Sequence, residues 1–200
     1  MPLRFTLVTA ARCGPLLDER FDDGRPLDSV GLHEAGQAAE RLYDLGLPGA
    51  PQRYCSPSPR ARQTGAVLGI APLAQPALRD CDMGRWAGGR LDQVMAREPE
   101  AVDSWLADPR RAPYGGEPLT TFIARVGHWM DTRTGDEPGG PVAGDRGPGI
   151  VAVVDPGVAR AAVVYSLGVP PQVFWRLDPQ PMSLLRIAGE RGSWTVRFQP

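Results

Sequence analysis

At 200 residues and a formal net charge of −1, the chain has the length of one domain, or of one domain with a modest insertion, and lacks the basic footprint of a nucleic-acid or anionic-membrane binder. All 22 basic residues are Arg, beside 24 Gly and 22 Pro, so an Arg here points to function only through its position. Cys13, Cys55 and Cys81 are odd in number, widely spaced and form no CxxC, which predicts a reducing compartment, no zinc site and no cofactor.

The opening residues MPLRFTLV carry neither a charged leader nor a long apolar core, so no signal peptide is predicted. No apolar run approaches the roughly 18 residues that span a bilayer, and the expectation is a cytoplasmic protein. Residues 3–8 form a short run of strand formers followed by small residues, which reads as a buried strand ending in a loop. Residues 31–45 place Leu32, Ala35, Ala39, Leu42 and Tyr43 on one helical face, and Gly46 and Pro48 stop the helix. A second strand is expected over 53–56, and a helix over 60–68 that starts just after Pro59.

The middle differs in character. Residues 80–134 hold Trp86, Trp105 and Trp129, many charges and helical stretches at 90–97, 99–107 and 118–133, and read as a helical cap inserted over the sheet. Residues 134–149 are rich in Gly, Pro and Asp and read as a mobile loop. Residues 150–154 are the clearest buried strand, and Asp155-Pro156-Gly157 turns it into a helix rich in Ala and Val. Two strands close the chain, over 183–187 and 193–198. Strands alternating with helices predict a single α/β domain over 1–200, a three-layer sandwich around a mostly parallel sheet.

Ligands of such a sheet sit beyond the carboxyl ends of its strands. Two strand ends qualify, Thr9-Ala10-Ala11 and Asp155. A third candidate is Ser56-Pro57-Ser58-Pro59-Arg60, where a strand feeds a helix N-terminus, a natural seat for an anion. Asp155 can cap the helix that follows it, or it can act as a nucleophile or ligand anchor.

The ordered segments LVTAARC, SPSPRARQT, LRDCDMGRWAG, GGEP and VVDPGVARAA resemble the histidine phosphatase (phosphoglycerate-mutase-like) superfamily over about residues 3–199. The second and third are the specific ones, similar to S-P-x-x-R-A-x-x-T and L-R-E-x-x-x-G-x-W-E-G. The tail from Ser166 through FWRLD is similar to the α-ribazole phosphatase-like branch, linked to cobalamin assembly. The resemblance implies a pocket with a nucleophilic His after a phosphate-gripping Arg, a second Arg, an acid and a second His.

Carried over residue by residue, the first Arg is Thr9, the nucleophilic His is Ala10, the acid is Asp80 and the second His is Asp155. Only Arg60 of that basic set remains. A methyl group has no lone pair, so no phosphohistidine forms at Ala10. Asp155 repels a dianion, and Arg60 is expected to pair with an acid instead.

The two His residues, His33 and His128, fall on helices and read as surface or structural groups. A slipped register would make Arg12-Cys13-Gly14 the nucleophile loop, but the spacing from Thr9 to Arg20-Phe21 argues for the unslipped one. The implied protein is a catalytically degenerate member that binds a neutral or cationic small molecule or a protein. The alternatives are a hydrolase using Asp155 or Cys13, and a partner subunit of an active paralogue, as a possible dimer.

Overall fold

The computed structural model describes residues 2–14, 20–21, 24–133 and 149–197. The loop expected over 134–149 lies outside the described residues except at Gly149, as does the expected strand end at Phe198.

The elements run β1 (Leu3–Thr9), α1 (Ser29–Asp44), β2 (Gln52–Cys55), α2 (Pro59–Val67), β3 (Leu73–Ala74), α3 (Leu91–Arg97), α4 (Pro99–Ala107), α5 (Leu119–Asp131), β4 (Ile150–Val154), α6 (Pro156–Leu167), β5 (Leu184–Glu190) and β6 (Ser193–Arg197). They build a six-stranded mixed sheet in the order β3-β2-β4-β1-β5-β6. The β1–β4, β2–β4 and β2–β3 pairs are parallel, while β5 runs antiparallel to β1 and to β6. The α/β sandwich with a mostly parallel sheet is therefore the observed fold.

Strand periodicity explains the layers. Phe5 and Leu7 of β1 and Ile150, Ala152 and Val154 of β4 join one core with α5 and α6. Their alternates Val8, Val151 and Val153 face the other core, against Ala35, Ala38 and Leu42 of α1 and Ala61 of α2. Burial on both faces is why β4 reads as an unbroken apolar run, Ile-Val-Ala-Val-Val, rather than as an alternating one.

Two caps start the helices of the α1/α2 layer. Asp28 accepts from the Gly31 N–H of α1 at 2.6 Å and from Gly14 N–H at 2.9 Å, tying the loop after β1 to the helix. These backbone donors hold its carboxyl below the ordinary carboxylate value. Ser58 caps α2, accepting from Ala61 N–H at 3.2 Å. Gly46, in a left-handed conformation, follows the end of α1 as the sequence pattern requires.

Between β3 and α5 the chain leaves the sheet. α3 and α4 pack on each other around a small separate core of Trp86, Val94, Val102 and Trp105, with Phe21, Met83 and Trp175 against it. α5 instead packs along α6 and supplies Phe122, Val126 and Met130 to the main core. No helix among the described residues is long and apolar enough to cross a membrane.

Candidate functional site

β1 and β4 lie side by side and parallel, in register Thr9 to Val154, so both carboxyl ends open at one place. α1 and α2 cover one face of the sheet and α5 and α6 the other, so the connections diverge there and leave a crevice. Ala10 N–H donates to Val154 O at 2.8 Å, which seats the buried Ala10 beside Asp155.

Asp155 is 0% exposed and is the first residue after β4. Its side chain accepts no helix N–H, so the capping role open in the sequence is not the one it takes. The reason is tertiary: a cation and a hydroxyl from the start of α2 reach its carboxylate first. Arg60 Nε donates to Asp155 Oδ1 at 2.5 Å, and Ser58 Oγ donates to the same oxygen at 3.0 Å. Asp155 Oδ2 is buried without a hydrogen-bond partner.

Arg60 sits in the first turn of α2, aimed back across the strand ends, with its side chain 16% exposed. Its Nη2 lies 3.6 Å from Asp80 Oδ2, and its Nη1 lies 3.6 Å from Cys13 Sγ. One guanidinium is thus held between two carboxylates.

Asp80 is fixed from behind. Its Oδ1 accepts Cys81 N–H at 2.9 Å. Arg125 grips the buried Glu117 with Nε at 3.0 Å and Nη2 at 2.6 Å, and donates through Nη1 to Ala77 O at 2.8 Å and Arg79 O at 3.1 Å. The Glu of the GGEP segment therefore works at a distance, by orienting the Arg that pins the backbone before Asp80.

Thr9 is turned to another task. Its Oγ1 accepts Ser183 N–H at 2.8 Å and donates to Gln180 O at 2.5 Å, fastening the end of β1 to the turn before β5. Of the five candidates, Arg60, Asp80 and Asp155 are in direct ion pairs, while Thr9 and Ala10 share the strand end without joining that network. His33 and His128 both lie exposed on outer helix faces.

A cavity of about 500 Å³ opens over the cluster. Arg20, Arg60, Asp80 and Arg160 are its charged lining residues, and Phe21, Met83, Trp105, Phe174 and Trp175 are among its apolar walls. Phe21 is placed by backbone bonds from its N–H to Gly89 O at 3.1 Å and from Gly88 N–H to its carbonyl at 3.3 Å. Its ring stacks on Trp86 at 5.7 Å, and Trp105 meets Trp175 edge-on at 4.4 Å. Sequence reasoning singled out neither Phe21 nor Trp175 as a wall residue; the signal available was the aromatic pair in FWRLD, whose 3-10 turn over Pro171–Arg176 presents Phe174 and Trp175.

Among the described residues no group of three or more His, Cys, Asp or Glu stands together to hold a metal. The acid-Arg-acid cluster can bind and orient, and the thiol of Cys13 stands against it.

Comparison with known proteins gives a consistent family. The sequence profile of the histidine phosphatase superfamily (branch 1) matches residues 21–199. The bifunctional protein Rv2228c of Mycobacterium tuberculosis is 31% identical over 113 residues, 54% of this chain but 30% of that protein, so the match spans about a third of the relative's length. Among solved structures, mycobacterial hydrolase 1 superposes with a TM-score of 0.82 at 24% identity, covering 99% of this chain and 98% of the other. The mycobacterial glucosyl-3-phosphoglycerate phosphatase Rv2419c with VO3 gives 0.80 at 24% identity, with 98% and 97% covered. The α-ribazole phosphatase from Shigella flexneri gives 0.75 at 19%, with 98% and 95% covered.

Proposed function

The chain belongs to the histidine phosphatase superfamily, and on that premise we propose that it is a catalytically degenerate member with a binding or regulatory role. The reading is carried by one observation: the carboxylate at the head of α6 holds Arg60, the one cation that the family resemblance leaves for a phosphate, in a 2.5 Å ion pair. Ala10, buried at the end of β1, offers no lone pair to accept a phosphoryl group. Each charge-assisted hydrogen bond to a phosphate contributes about 1.5–3 kcal/mol. With Arg60 engaged and Thr9 bonded to Gln180 and Ser183, that binding energy is forfeited.

The test is turnover of phosphomonoesters, p-nitrophenyl phosphate among them, by rigorously purified protein. The expected rate is that of the buffer blank, and turnover surviving purification overturns the reading.

A second reading, a hydrolase with changed chemistry, draws support from Cys13 Sγ standing 3.6 Å from Arg60 Nη1. In that case Cys13→Ser or Asp155→Asn abolishes a measurable activity, and an activity indifferent to both removes the idea. The resemblance to α-ribazole phosphatases supports a third role, as a cytoplasmic partner subunit in cobalamin metabolism, alone or as a dimer. Co-purification with an active paralogue is its test. In each reading α3 and α4 serve as the cap over the pocket and line its outer wall, whereas α5, expected in the same cap, belongs to the layer that α6 forms on the sheet.

A further inference from the structure

Resting on the non-catalytic reading of the site, we propose that the cavity binds a small unphosphorylated monocarboxylate with an apolar, preferably aromatic, body. The body lies among Phe21, Met83, Trp105 and Trp175, and the carboxylate meets Arg160.

Three observations point there. The first is size and lining: about 500 Å³ is in the range of small-molecule sites, and most of its lining side chains are apolar. Met95 and Leu106, both exposed, extend that surface to the rim.

The second is the polar side. Asp80 lines the same cavity, and behind it Asp155 neutralises Arg60, so two carboxylates face one guanidinium. A phosphate dianion placed beside Arg60 meets the Asp80 and Asp155 carboxylates there, with Arg20 and Arg160 elsewhere in the lining. An uncharged end of a ligand meets no such opposition.

The third is Arg160, one turn along α6 from Pro156 and also in the lining. Its Nη2 lies 4.0 Å from Asp178, a carboxylate whose side chain is 80% exposed, so this pair is screened by water. Its Nε is buried without a hydrogen-bond partner, and the guanidinium stacks 5.6 Å from the centre of the Phe174 ring. Arg stays charged at any physiological pH and presents a fork that matches a carboxylate. A permanently charged, weakly paired fork against an apolar cavity suits a ligand with one carboxylate on an apolar body. Such a ligand keeps its charge at Arg160 and its apolar part among the aromatic walls.

The experiment titrates the whole chain with 3-phenylpropionate, its uncharged amide 3-phenylpropanamide, and inorganic phosphate, by calorimetry and by tryptophan fluorescence. The acid is expected to bind at least about tenfold more tightly than the amide, the increment of one charge-assisted hydrogen-bonded pair. Phosphate is expected to give no heat. Arg160→Gln should bring the acid down to the amide's affinity and leave the amide unchanged. Met95→Glu, a surface change that does not threaten folding, should weaken the acid more than the amide. Equal affinity for acid and amide, indifference of the acid to both substitutions, or no binding of either compound overturns the proposal. Phosphomonoester turnover, scored separately, overturns the non-catalytic reading, whereas failed binding without turnover removes only the carboxylate ligand.

Discussion

Arg60 and Asp155, 95 residues apart in sequence, form a 2.5 Å ion pair at the point where the two central parallel strands end. The carboxylate is fully buried and the guanidinium nearly so, which makes the pair costly to break from one side. Arg60→Ala leaves Asp155 without its counter-charge and is expected to lower stability by about 3–5 kcal/mol. Asp155→Asn keeps an acceptor for Ser58 and leaves Arg60 its second partner Asp80, so about 1.5–3 kcal/mol is expected. The double change Arg60→Met, Asp155→Leu should recover most of the loss, because no buried charge remains at that pair. Urea midpoints of the four proteins check the order. An Arg60→Ala protein as stable as wild type would mean that the pair is solvated.

Restoring the family's groups at three positions tests whether the frame still supports phosphoryl transfer. Asp155→His alone releases Arg60 and is expected to give phosphate binding without turnover. Thr9→Arg, Ala10→His and Asp155→His together are expected to give weak p-nitrophenyl phosphate hydrolysis and an acid-labile phosphoenzyme. The fold opposes two of these changes. Thr9 fastens β1 to Ser183 and Gln180, and Ala10 is 2% exposed, so an imidazole there overpacks the site at a cost of about 1–3 kcal/mol. Circular dichroism must therefore accompany the assay. A folded triple variant without activity would show that the pocket has drifted beyond these side chains.

How much of this was legible in the sequence varies with the physics of each element. β4 was readable because five apolar residues are buried on both faces. α1 was readable as a helix, but its buried face is Gly31, Ala35, Ala38 and Leu42, and Leu32 and Tyr43 of the expected stripe are exposed, small residues being what the close packing on the sheet admits. β3, with only two residues, Leu73 and Ala74, has no periodicity to read and exists because β2 pairs with it. The site divides in the same way. Arg60, Asp80 and Asp155 were named through motif positions, and the pairing of Arg60 with an acid was expected from charge and is observed. The side chain of Asp155 could have capped α6; only the three-dimensional proximity of Arg60 decided against it. The bond from Ser58 to Asp155 and the place of Phe21 and Trp175 in the pocket wall were not legible, since each depends on a partner far along the chain.

Gly157→Ala probes how closely the cluster is packed. Helical Gly to Ala is ordinarily favourable by up to about 1 kcal/mol. At this position, however, an added Cβ would run into Asp80 Oδ1. Asp80 cannot simply retreat, because that oxygen holds Cys81 N–H and Arg125 pins the preceding carbonyls. The steric term, about 1–3 kcal/mol, is expected to win. The measurement is a melting temperature below wild type, and one at or above it would mean that Asp80 is free to swing aside.

The cysteines give a pH test with a defined sign. Cys81 is buried and stands near the Asp80 and Glu117 carboxylates; burial chiefly, and those charges after it, push its thiol up to about 12 from an ordinary value near 9. Burial raises Cys55 in the same direction. Between about 9 and 12 the unfolded chain releases the Cys81 proton while the folded one keeps it. The unfolded state then binds fewer protons, so stability is complete below about pH 9 and falls as pH rises above it. The limiting slope is about 1.4 kcal/mol per pH unit for one fully shifted thiol. Tyr165, raised by its hydrogen bond to Asp131, adds a loss of the same sign above its ordinary value, so the comparison must be made within one series. Urea unfolding at pH 8, 9 and 10 is expected to show a steeper decline for wild type than for Cys81→Ala, with the curves converging toward alkaline pH. The protonated, enclosed state of Cys55 and Cys81 also predicts the labelling pattern: iodoacetamide on the native protein should modify the half-buried Cys13 and spare the other two. Parallel pH slopes, or labelling of Cys81 before Cys13, would mean that the segment behind Asp80 is open to solvent.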